Sequence, residues 1–112
     1  MKLELDKFNG YLVQFFRDVL APSARSASTK FRIGWALGSG KVGIGKGDEW
    51  HRSFVATGVI GDDGMVDVDQ LRRCVDGGLQ LAGDLRIDQL GVNVERPEID
   101  KFFRLLETGS LG

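Results

Sequence analysis

The chain has 112 residues, 42% hydrophobic and 28% charged, with a formal net charge of −1. That size and balance fit one domain over residues 1–112 and exclude a disordered or low-complexity chain. Cys74 is the sole cysteine and His51 the sole histidine, which excludes an intrachain disulfide and multi-cysteine or histidine-rich metal sites.

From the N-terminus, Leu5, Phe8, Leu12, Phe15, Phe16 and Val19 recur at helical spacing and predict an amphipathic helix from Leu3 to about Leu20. Gly10 weakens it by about 1 kcal/mol relative to alanine. Pro22 should end it, because the residue before a proline avoids the α region. Tyr11, Leu3 and Leu20 widen the apolar stripe, which predicts self-association or a protein partner. The early charges of Lys2, Glu4, Asp6 and Lys7 do not suit a signal peptide, and no apolar run reaches the length of a membrane span. A soluble, cytoplasmic protein is therefore expected, with no membrane partner. Residues 21–29 read as a small-residue loop.

The centre of the chain reads as an antiparallel meander. Phe31, Ile33, Trp35 and Leu37 alternate with smaller or polar residues, as do Val42 and Ile44 after the turn at Gly38-Ser39-Gly40. A third strand is predicted from about His51 to Ile60. On this reading Gly34, Ala36, Gly43 and Gly45 form a sheet face nearly bare of side chains, which suggests close approach by another body.

Gly61-Asp62-Asp63-Gly64 predicts a turn, and Asp67 followed by Gln70 resembles a capping box. The helix it opens should bury Val68, Leu71, Val75, Leu79 and Ala82, with a weak point at Gly77-Gly78. Residues 85–95 alternate as a further, interrupted strand. Pro97 opens a last helix that buries Ile99, Phe102, Phe103 and Leu106 and ends at Gly109. The expected fold is α+β: a mostly antiparallel sheet of about four strands with covering helices, in the order α-β-β-β-α-β-α.

Three local motifs fail on their neighbours. The run from Leu37 to Ile44 resembles the glycine-rich loop of protein kinases. The following strand offers no lysine, however, and no H-R-D or D-F-G triplet follows. Gly40 to Lys46 matches G-x-x-x-x-G-K, but Gly47 replaces the hydroxyl residue and Gly47-Asp48-Glu49 is a poor helix start. The aspartates Asp62, Asp63, Asp67 and Asp69 resemble part of a calcium loop, yet the register puts Val59, Gly61 and Gln70 at ligand positions. Turn and cap roles explain these aspartates. No metal or other cofactor is implied.

Charge is unevenly spread. Over residues 22–53 there are six basic side chains against Asp48 and Glu49, whereas residues 61–112 carry six basic and eleven acidic ones. His51 and Cys74 lack partners at catalytic spacing. The sequence thus leads to a small non-enzymatic binding or assembly protein. The alternative is a binder of phosphate, nucleotide or single-stranded nucleic acid through the basic hairpin 38–47. The contact residues on either view are Gly34, Ala36, Gly38, Gly40, Lys41, Gly43, Gly45 and Lys46.

Overall fold

The computed structural model describes residues 1–40, 42–77 and 96–111. Among these, the expected four-stranded sheet does not form. The described residues are mostly helical, with one two-stranded antiparallel sheet among them. β1 (Lys2–Leu3) pairs with β2 (Val66–Asp67), setting Lys2 opposite Asp67 and Leu3 opposite Val66.

The first helix is close to expectation. α1 (Leu5–Phe15) buries Phe8, Leu12 and Phe15, and continues through a π-helical turn, Phe16–Leu20, into α2 (Ala21–Ser23). Pro22 does not stop it. Ala21, just before the proline, keeps helical angles (φ −63°, ψ −46°) and donates to the Phe16 carbonyl five residues back. The wider turn makes room for a ring that would clash with the carbonyl of a regular helix. Helical geometry ends only where Ala24 turns extended, at ψ 127°.

The predicted meander is replaced by two helices and a loop. α3 (Ala27–Gly38) starts at Ser26, whose side chain accepts from the Thr29 amide at 3.1 Å. It buries Ile33 and Ala36, with Thr29 and Leu37 half-buried on the same side. That inner set follows helical spacing, while Phe31 and Trp35 stand outside. The apolar alternation was misleading because half of its members are not core residues. α4 (Glu49–Ala56) is capped by Asp48, which accepts from the His51 amide at 2.7 Å, so Gly47-Asp48-Glu49 does open a helix. It closes in a Schellman arrangement. Gly58 at φ 79° donates to Val55, and Val59 donates to Phe54. Of the predicted third strand only Ile60 makes a bridge, to Val66.

The turn at 61–64 forms, with Gly64 donating to the Gly61 carbonyl at 3.0 Å. α5 (Val68–Asp76) begins at Asp67, which accepts from the Gln70 amide at 3.1 Å. The reciprocal arm of the capping box is missing, because the Gln70 side chain reaches instead to the Thr57 carbonyl at 3.0 Å. α5 stops at the predicted weak point, Gly77. The expected continuation to Ala82 and the strand over 85–95 lie outside the described residues. α6 (Arg96–Thr108) carries Pro97 in its first turn, and Gly109 follows at φ 75°.

The core is built on α1 and α6. Phe102 stacks tilted on Phe15 at 4.8 Å between ring centroids and meets Phe8 edge-on at 5.9 Å. Phe54 of α4 meets Phe8 edge-on at 6.4 Å. Leu3, Val59, Ile60, Val66, Val68 and Leu71 belong to the same cluster, as do Ile33 of α3 and Ile44. Leu3 and Leu20 are buried and Tyr11 packs against the core, so the wide stripe of α1 is covered by its own chain. Leu3, Tyr11 and Leu20 therefore do not widen α1 into a face that needs a second copy to cover it.

Candidate functional site

The predicted contact residues do not share a sheet face. Gly34 lies exposed in α3, Ala36 is buried beneath it, and Gly38 closes the helix. Gly40 and Gly43 adopt φ of 73° and 131°, so glycine is needed there for backbone conformation. Lys46 is exposed, and Lys41 lies outside the described residues.

The loop after α3 is held by two side chains from elsewhere. Asn9 of α1 accepts from the Ile44 amide at 2.8 Å and donates to the Ile44 carbonyl at 2.9 Å. A Cβ at Gly43 would come within 3.1 Å of that same Asn9 side chain. Asp48 accepts from the Gly45 amide at 2.8 Å while it caps α4. Backbone amides that a phosphate would need at Ile44, Gly45 and His51 are thus already bonded to Asn9 and Asp48. An anion there would have to displace a carboxylate of its own sign.

The aspartates of the second half also have separate duties. Asp63 accepts from the Met65 amide at 2.9 Å and pairs with Lys2 at 3.2 Å, and these bonds hold its carboxyl below the usual range. Asp69 pairs with the Met1 amino group at 2.5 Å, which likewise lowers its pKa. Asp67 is the cap of α5. Among the described residues no three His, Cys, Asp or Glu side chains come together as metal ligands would. Cys74 is half-buried, its Sγ 3.7 Å from the side-chain Nε2 of Gln70, and His51 sits on the first turn of α4. Among the described residues neither is hydrogen-bonded through its side chain to a carboxylate or hydroxyl that could serve as a catalytic partner.

What stands out instead is the outer side of α3. Phe31 is 74% exposed and Trp35 is 54% exposed, one helical turn apart. Gly34 lies beside them, and Gly38 continues the row one turn beyond. A Cβ on either glycine would meet nothing within 4 Å. Lys30 and Arg32, both exposed, border the row. Sequence reasoning missed Phe31 and Trp35 because it assigned them to a sheet core. The overlooked signal was Ser26 three residues before Thr29, a helix start that would have put both rings on one side.

No helix among the described residues is long and apolar enough to cross a membrane. No family model, curated protein or solved structure matches the chain.

Proposed function

We propose that this chain is a small cytoplasmic, non-enzymatic binding or assembly protein that meets a protein partner through the outer face of α3. The observation that carries the reading is the pair Phe31 and Trp35, exposed by 74% and 54% on a helix whose inner side already packs on the core. A helix apolar on two sides is suited to packing on two sides. Aromatic residues are also the side chains most enriched at the centres of interfaces. The lone cysteine, which leaves no intrachain disulfide, supports a reducing compartment.

The alternative, a phosphate, nucleotide or single-strand binder through 38–47, would rest on Lys46 and neighbouring cations, with the Ile44 and Gly45 amides engaged elsewhere. It is the weaker reading. Titration with a nucleoside triphosphate and with a short oligonucleotide tests it, and a saturable signal lost on Lys46→Ala would favour it.

The test of the main reading is site-specific photocrosslinking in cells. A photoreactive residue at Phe31 or Trp35 should give a discrete adduct, abolished by Gly34→Leu, while one at Ser110 should not. Identical adducts from Ser110, or none from α3, would overturn it.

A further inference from the structure

We infer that the outer face of α3 receives an acidic amphipathic helix of a protein partner, an inference that rests on reading this face as a contact surface. Its shape argues for a helix. Ala27, Phe31, Gly34, Trp35 and Gly38 fall at i, i+4, i+7, i+8 and i+11, a continuous stripe along one side of α3. Glycine within a helix costs about 1 kcal/mol relative to alanine. Neither Gly34 nor Gly38 is required by a positive φ or by a neighbour within 4 Å. Their lack of a Cβ is useful where another backbone approaches closely, with two rings beside them to grip it.

Charge argues for the sign. Residues 22–47 contain Arg25, Lys30, Arg32, Lys41 and Lys46 and no Asp or Glu. A second copy laid across the same face would oppose cation to cation. An acidic helix would pair with Lys30 and Arg32 on the two borders while its apolar side covers Phe31 and Trp35. A long nucleic acid would meet the same cations, but a chain with a formal net charge of −1 lacks the overall basic character of nucleic-acid binders.

A displayed library of random peptides, several helical turns long, tests this on the full chain. The counter-selection uses a Phe31→Ala/Trp35→Ala variant, both positions being exposed. Peptides enriched on the native chain alone should be acidic, with apolar residues at helical spacing. Their affinity should fall at least about tenfold on Lys30→Glu/Arg32→Glu and weaken with salt. Face-specific peptides that are neutral or basic, or indifferent to the charge reversal, would overturn the acidic helix and leave the contact face standing. The absence of any face-specific peptide would overturn both. A dimer in sedimentation that Trp35→Ala dissolves, or tighter binding of oligothymidylate than of any selected peptide, would assign the face to another occupant and overturn the proposal. So would a marked fall in the unfolding midpoint of the double variant, because the face would then be covered within the chain.

Discussion

α1 and α3 are nearly equal in length, 11 and 12 residues, yet they place their large side chains oppositely. α1 turns Phe8, Leu12 and Phe15 inward, where none is more than 1% exposed. α3 turns only Ile33 and Ala36 fully inward and leaves its two aromatic residues in solvent. Phe8, Leu12 and Phe15 of α1, with Leu5 and Tyr11 beside them, belong to the core of their own chain. Phe31 and Trp35 on the outer half of α3 stand outside that core, and it is this half that we propose meets a partner.

The largest effect expected from this contrast is on stability. Phe102→Ala should cost about 3–5 kcal/mol, because its ring contacts both Phe8 and Phe15 at the centre of the core. Phe31→Ala should change stability by no more than about 0.5 kcal/mol. Chemical denaturation of the two variants checks the pair. Similar losses at both positions would erase the distinction between the helices.

The next effect concerns the link between them. Asp48→Ala removes the cap of α4 and the acceptor for the Gly45 amide, and should cost about 0.5–2 kcal/mol. Hydrogen exchange should then quicken at His51 and Gly45 while the amides of α1 stay protected. Uniform loss of protection would mean that the loop is not a separate unit.

Gly34→Ala should act in the opposite direction. The added methyl group meets nothing within the chain, so helix propensity alone should raise stability by up to about 1 kcal/mol. A lowered unfolding midpoint would show that α3 is packed on its outer side. By contrast, Gly58→Ala should destabilise, since φ 79° is unfavourable for a residue with a Cβ.

The smallest effect is on acid stability. Asp63 and Asp69 have folded pKa values below their unfolded ones, through the Met65 amide and the Met1 amino group respectively. Their contribution is present above the unfolded carboxylate range and is lost as pH falls through the folded values. Asp63→Asn and Asp69→Asn should each flatten the acid limb slightly and leave stability near neutral pH almost unchanged, because the pairs are exposed. A steeper acid limb in either variant would contradict the assigned direction.

The candidate site was legible only in part. Gly34 and Gly38 belong to the outer stripe of α3, whereas Ala36 is buried and Gly43 and Gly45 serve the loop against Asn9 and Asp48. The rings at its centre, Phe31 and Trp35, were hidden by their own hydrophobicity. Pattern reading assigns a large apolar residue to the core and has no means of marking the one left outside.

By itself the sequence determined the helix of α1, the turn at 61–64, the cap at Asp67, and the last helix from Pro97 to Gly109 with its core phenylalanines. These features depend on local chemistry: helical periodicity, a carboxylate that accepts an amide, a proline in the first turn, a glycine where φ is positive. Tertiary structure decided residues 27–56. Phe31, Ile33, Trp35 and Leu37 satisfy a strand period if all four are buried, and a helix period if only the inner members are. Burial is settled by what packs on the other side. Here the inner face of α3 meets the π-helical turn and α2, and that contact needs only Ile33, Ala36 and part of Leu37.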